Sequence, residues 1–313
     1  MLRRFLTHQQ DELLQQERAV LAELSATLQR LNPDPADLDL LRQAQRQLDE
    51  LFLLVIVGEF NSGKSAFVNA LLGEPFLTEG VTPTTAEIHL LRHGAPGRQT
   101  AADGSIILTH PAPWLQEINI VDTPGTNAII RSHQQITEGF IPRSDLVLFV
   151  TSADRPFTES ERLFLSQIRD WGKKVVIVIN KIDILETDAE VDQIVAFVAR
   201  HAQELLGLRP EIFPVSARLA LRAKQQGGDG VSGELWQRSR FAPLERYILT
   251  TLDARERIRL KLLSPLGVAQ RLAANHLAIV RERQALLRDD IATTEMIAGQ
   301  LAAYQEDMRR DFR

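Results

Sequence analysis

Nothing in this chain restricts its fold as much as residues 52–65, where the apolar run FLLVIV leads straight into GEFNSGKS. A short, continuous run rich in β-branched residues suits a strand buried on both faces of a sheet. The turn after it fits G-x-x-x-x-G-K-[ST] at Gly58, Gly63, Lys64 and Ser65. Backbone N–H groups of such a loop wrap phosphate oxygens, and the following helix aims its positive end at them. Glu59, Asn61, Ser62 and Ala66 complete the predicted cradle. Lys64 is placed to reach the outer phosphates, and the Ser65 hydroxyl to ligate Mg²⁺.

The rest of the middle block repeats this alternation. INIVD, LVLFVT, KVVIVIN and IFPVS read as further buried strands. KSAFVNALLG, SERLFLSQIRDWG and VDQIVAFVARHAQELLG read as the helices between them. This predicts an α/β domain with a doubly wound, mostly parallel sheet over residues 51–240. RHGAPGRQTAADGSIILTHPAP is turn-rich and predicts a hairpin excursion between early strands.

On either side the period changes to that of helices. In residues 1–50, Leu14, Leu21, Leu24, Leu28 and Leu31 share one helical face, NPDPAD breaks the helix, and Leu41, Ala44, Leu48 and Leu51 line a second. In residues 241–313 the helical pattern returns, with a predicted kink or restart at Pro265. Leu277, Val280, Leu287, Ile291, Leu301, Tyr304 and Met308 form a heptad-like stripe that is still running at Arg313, as in a helix that continues further. The two blocks are predicted to pack together as a helical neck bundle, with the alternative that each lies separately on the globular core.

Three downstream motifs fix the ligand. DTPG follows INIV, so Asp122 sits where it can hold Mg²⁺ through water, and the Gly125 amide where it can contact a γ-phosphate. NKID follows KVVIVI, and the Asp183 carboxylate can accept from the N1–H and N2-amino edge of guanine, a donor pair that adenine lacks. Asn180 ties this loop to the phosphate loop or the base edge, and the Lys181 stem can cover the ring. Ser216 and Ala217 of VSA follow another strand, with the Ala217 amide offered to the guanine oxygen. A threonine closing over Mg²⁺ is expected from VTPTTAEI: Thr85 first, Thr84 next, with Thr82 the third in the stretch.

With four such elements in order, the chain resembles GTPases of the translation-factor-related class. GEFNSGKSAFVNALLGEPFLTEGVTPTTAEI, DRPFTESERLFLSQIRDWGKKVVIVINKID and ERYILTTLDARERIRLKLLSPLGVA resemble bacterial dynamin-like proteins, a group similar to mitofusins and to the chloroplast fusion-related dynamin-like GTPase. The resemblance implies GTP-dependent dimerisation across the nucleotide faces and hydrolysis of GTP to GDP. It also implies a neck that transmits a hinge motion to a trunk and lipid-binding tip beyond residue 313. SPLG, or the junction near 241–243, is the expected hinge. A cytoplasmic protein, peripheral at the inner face of the membrane, is implied. The alternative is an Era-like regulatory or ribosome-assembly switch with helical effector-binding appendages.

The expected catalytic set is Lys64, Thr85, Asn61 and Gly125, and the expected metal ligands are Ser65, Thr85 and Asp122. DTPGTNAII carries no glutamine after its glycine to orient water. Eukaryotic dynamins have Gln and Ser where this chain has Phe60 and Asn61, so Phe60 cannot orient water with its side chain. Asn61 can ligate a monovalent cation such as K⁺ through its carbonyl oxygen. Arg155 is a second candidate for charge compensation across a dimer, against the plainer role of a solvated loop residue. His89, His93 and His133 lack metal-ligand spacing, and Trp114, Trp171 and Trp236 read as packing anchors. With no cysteine, thiol and disulfide chemistry are excluded. A net charge of -5 and a pI of about 5.9 weigh against a nucleic-acid partner. No apolar stretch approaches the roughly 20 residues that span a bilayer as a helix.

Overall fold

The computed structural model describes residues 8–79, 88–101, 104–124, 135–226, 233–251 and 254–312. Two helices come first, α1 (His8–Arg30) and α2 (Pro35–Gln47). Pro35 opens α2, where its missing N–H costs nothing, and the Asp34 carboxylate caps the helix by accepting from the Ala36 amide at 2.9 Å. Leu14, Leu21, Leu28, Leu41, Ala44 and Leu48 are buried, so the leucine faces predicted from spacing are the faces that pack.

An eight-stranded sheet follows, in the order β3-β4-β2-β5-β1-β6-β7-β8. Its parallel half comprises β5 (Ile118–Asp122), β1 (Phe52–Val57), β6 (Leu146–Ser152), β7 (Val175–Asn180) and β8 (Glu211–Pro214). β1 lies between β5 and β6, with Leu54 opposite both Ile120 and Leu146. All residues of β1, β5, β6 and β7 are buried, as their unbroken apolar runs require. β2 (His89–His93) is antiparallel to β5, while β3 (Gly97–Thr100) and β4 (Ile106–His110) form the predicted hairpin at the sheet edge.

Helices cover both faces. On one, α3 (Lys64–Leu72), α6 (Ala217–Gln225), α7 (Glu234–Ser239) and α8 (Phe241–Arg246) join Leu54, Ile56, Leu148 and Val178 in a single core through Phe67, Ala220, Trp236 and Phe241. On the other, α4 (Glu159–Asp170) sets Phe164 against Phe149 of β6, their ring centroids 6.5 Å apart, and α5 (Asp188–Leu206) buries Val191, Val198 and Ala202. Both helices begin with a Thr–Glu capping box, Thr158 with Glu161 and Thr187 with Glu190.

The last helix, α9 (Ala254–Asp311), continues through Pro265, so the helix does not restart there. Hydrogen bonds made by Lys261 and Ser264, just before the proline, hold this stretch to the first unit. The chain divides into two compact units, Met1–Val268 and Ala269–Arg313. Phe241, Leu244, Ile248 and Leu260 belong to the same core as the sheet. In the second unit Leu287, Ile291, Leu301 and Tyr304 are exposed.

A polar cluster no sequence pattern predicted lies at the amino-terminal end of β1 and β6. Buried Asp145 accepts from the Leu53 amide at 2.8 Å, Gln47 Nε2 at 2.9 Å and Lys261 Nζ at 3.0 Å. Lys261 also donates to Leu51 O. Ser264 Oγ donates to Ser144 O at 2.7 Å, and Lys173 Nζ donates to Ser264 Oγ and Pro142 O, both at 2.6 Å. Burial raises the Asp145 carboxyl above the usual range, and Lys261 opposes that shift. One network thus joins the end of α2, the sheet and the start of α9.

Candidate nucleotide site

The loop between β1 and α3 has a shape only its own residues allow. A Cβ on Gly58 would lie 2.0 Å from Val150 O, and one on Gly63 would lie 2.2 Å from Asn180 Nδ2. Gly63 also has φ +89°, in the left-handed region. Asn61 has φ +60°, which asparagine tolerates, and its side chain is exposed. Phe60 is half-buried. The second loop residue is tied sideways: Thr158 Oγ1 donates to Glu59 Oε1 at 2.6 Å, and Ser160 Oγ donates to the same oxygen. The phosphate loop is thereby linked to the amino terminus of α4.

Lys64 is buried and donates to the carbonyls of Gly58, at 3.1 Å, and Glu59, at 2.8 Å. Burial lowers its ammonium to about 8, opposed by Asp122, Glu161 and Glu59. Anionic oxygens brought into the loop would favour the charged form.

The predicted metal ligands meet across the sheet. Ser65 Oγ donates to Asp122 Oδ2 at 2.9 Å, and Asp122 Oδ1 is buried without a hydrogen-bond partner among the described residues. Burial raises Asp122 to about 6, with Lys64 and Ser65 pulling it back. An unmatched buried carboxylate oxygen beside a hydroxyl is a hard-oxygen set that fits Mg²⁺. Next to it, Thr123 Oγ1 donates to Ile56 O at 2.8 Å and pins the start of the DTPG turn to β1. Thr82, Thr84, Thr85, Gly125 and His133 lie outside the described residues.

Asn180 connects the two halves of the site. Its Nδ2 donates to Ser62 O at 3.0 Å and Gly63 O at 3.3 Å, while its Oδ1 accepts from the Ala217 amide at 3.0 Å. The Ala217 amide expected to serve the guanine oxygen is thus already engaged, and would serve that oxygen only by sharing or exchanging this bond. Lys181 has φ +65° where the chain turns into the short helix Ile182–Ile184 that carries Asp183. Ser216 Oγ donates to Asp183 Oδ1 at 2.5 Å and, as the cap of α6, accepts from the Leu219 amide.

Sequence reasoning missed Arg218, which pairs with Asp183 Oδ2. Its place directly after VSA was the available signal. It also missed the bonds from Thr158 and Ser160 to Glu59, which join residues about 100 positions apart. Arg155 is exposed. Of the other singled-out residues, Trp171 and Trp236 are buried, and the described residues contain no cluster of three or more His, Cys, Asp or Glu able to hold a metal.

Residues 54–105 and 96–183 match the Dynamin family. Over 320 aligned residues the chain is 41% identical to "Probable transmembrane GTPase FZO-like, chloroplastic" of Arabidopsis thaliana, covering 96% of this chain and 35% of that protein. It is 27% identical over 189 residues to "Bacterial dynamin-like protein" of Nostoc punctiforme, covering 47% of this chain and 27% of the relative. The matched part of the chain therefore spans 35% and 27% of the length of these relatives. A solved structure of an oligomerised bacterial dynamin pair, described as a mechanism for long-range sensing and tethering of membranes, has the same fold. It superposes with a TM-score of 0.57 at 18% identity, over 96% of this chain and 52% of that one.

Proposed function

This chain belongs to the dynamin superfamily, and on that premise we propose that it binds GTP, hydrolyses it to GDP and phosphate, and turns the cycle into work on a membrane. The observation that carries the site reading is the double role of Asn180. One amide holds the phosphate loop at Ser62 and Gly63 and the base-side loop at Ala217. Phosphates and base of one nucleotide would then be read by a single preorganised frame.

In this reading Lys64 exchanges the Gly58 and Glu59 carbonyls for phosphate oxygens. Ser65 and Asp122 would hold Mg²⁺, joined by Thr85, and the ion when bound supplies neutralisation of phosphate charge. Asp183 reads the guanine edge, backed by Ser216. Asn61, exposed at the mouth of the loop, is assigned a monovalent cation such as K⁺, and Gly125 the γ-phosphate. Water is oriented by main-chain groups and by what a second copy brings to the nucleotide face, since Phe60 has no polar group to offer.

Beyond nucleotide chemistry, we assign a homodimer through the nucleotide faces and a neck made of the helices on both sides of the sheet. The membrane contact is peripheral, at the inner, cytoplasmic face, and is made by parts of the protein other than those seen here. No helix among the described residues is long and apolar enough to cross a membrane. The Era-type switch is the weaker alternative: a relative aligned over 96% of the chain, flanking segments included, is the FZO-like GTPase.

The experiment that tests the proposal is a pair of single substitutions followed by nucleotide binding. Lys64→Ala is expected to abolish or gravely weaken GTP binding, and Asp183→Asn to shift preference from guanine to xanthine nucleotides. Unchanged GTP affinity in the first or unchanged base preference in the second contradicts the corresponding assignment.

A further inference from the structure

We infer that Arg218 competes with the guanine edge for Asp183, and so sets both the ease of nucleotide entry and the penalty for a wrong base. The inference rests on the base-reading role proposed for Asp183. The Asp183 side chain is 7% exposed, so its carboxylate has few directions from which a partner can approach. One oxygen, Oδ1, is held by Ser216 Oγ, and Ser216 is itself fixed: its amide donates to Ser239 O at 2.8 Å and its hydroxyl caps α6. The other oxygen, Oδ2, is taken by the guanidinium of Arg218.

A guanidinium presents N–H donors in a plane, the donor class that a guanine N1–H and N2-amino edge also presents. Both cannot occupy Oδ2 in the same way. Arg218 is the partner free to yield, because its side chain is 63% exposed and leaves without losing packing. A guanine nucleotide thus exchanges one charge-assisted bond for another. An adenine base lacks that donor pair, with an acceptor at N1 and only a C–H at C2, so nothing on that edge replaces the guanidinium and the ion pair stays closed. Wrong-base rejection then comes from a competitor within the chain as well as from an unpaired carboxylate.

The test is equilibrium binding of GDP and xanthosine diphosphate to the full chain, to Arg218→Gln, to Asp183→Asn and to the double variant. Arg218→Gln is expected to bind GDP about three- to tenfold more tightly, the range for loss of a competing pair with one exposed partner. The advantage should shrink as salt rises toward 1 M, which screens the wild-type pair. In the Asp183→Asn background, removing Arg218 should leave affinity for xanthosine diphosphate unchanged, because the competition acts through the carboxylate. Equal or weaker GDP binding by Arg218→Gln, or an equal gain in the Asp183→Asn background, overturns the inference. If Asp183→Asn shifts preference to xanthine as expected, the base-reading role survives that failure; if it does not, both fall.

Discussion

Three single side chains in this protein, Glu17, Asn61 and Arg218, each have a consequence that can be measured. Glu17 is buried on the leucine face of α1, with Oε1 lacking a hydrogen-bond partner among the described residues, and burial raises its carboxyl from 4.5 to about 8. Below about pH 4.5 it is protonated in both folded and unfolded chains and carries no penalty. Between there and pH 8 only the unfolded chain ionises, so stability drains away as pH rises and the full loss is reached above pH 8. The melting temperature of Glu17→Gln is therefore expected to match wild type near pH 4.5 and to exceed it by several degrees at pH 8.5. A constant difference across that range would contradict the assignment. Asn61 is the second case, holding a left-handed backbone with an exposed amide. If it ligates K⁺, GTP turnover should fall several-fold when Na⁺ replaces K⁺, and Asn61→Ala should abolish the difference. Equal turnover in both salts removes K⁺ from the proposal. Arg218 is the third, and its test is given above.

At the scale of elements, the sequence was most informative where a pattern is local. Each predicted strand of the parallel half is present, and four are buried throughout as an unbroken apolar run requires; β8, expected to be buried, is half-buried because it lies at the sheet edge. α2, α4 and α5 are each capped by the residue just before their first turn, Asp34, Thr158 and Thr187. Pro265 shows where local reading stops. A proline removes one intrahelical hydrogen bond, and by itself that argues for a break. Here Lys261 and Ser264, just before it, anchor α9 to Asp145, Leu51, Ser144 and Lys173, and these long-range contacts outweigh the local cost. Lys261→Met leaves the Asp145 carboxylate buried without its cation, and should lower unfolding free energy by about 3–5 kcal/mol. A urea titration measures this as an earlier midpoint. An unchanged midpoint would mean that the pair contributes nothing to holding α9 on the domain.

On the scale of the whole molecule, the phosphate loop and the polar cluster stand at opposite ends of β1. The loop follows Val57, and Asp145 grips the Leu53 amide at the strand's start. Between them β1 is buried along its length, so nucleotide contacts at one end and helix contacts at the other are borne by the same strand. The proposed dimer adds a test that no single-site change supplies: turnover per subunit should rise with protein concentration as pairs complete each other's sites. Strict independence of concentration would favour the solitary switch.

What the sequence by itself determined is what neighbouring residues decide among themselves. Glycines at 58 and 63 permit the loop, apolar runs become strands, and four motifs in order supply the pattern on which the guanine-nucleotide proposal rests. Only the tertiary structure brought Ser65 to Asp122, joined Ser62 to Ala217 through Asn180, closed Arg218 on Asp183 and gathered Gln47, Asp145 and Lys261 into one buried network. The physical reason is separation along the chain. Lys261 and Asp145 are 116 residues apart, and no periodicity records which strand end will face which helix. That is decided when the crossovers of a parallel sheet set β5 and β6 on either side of β1.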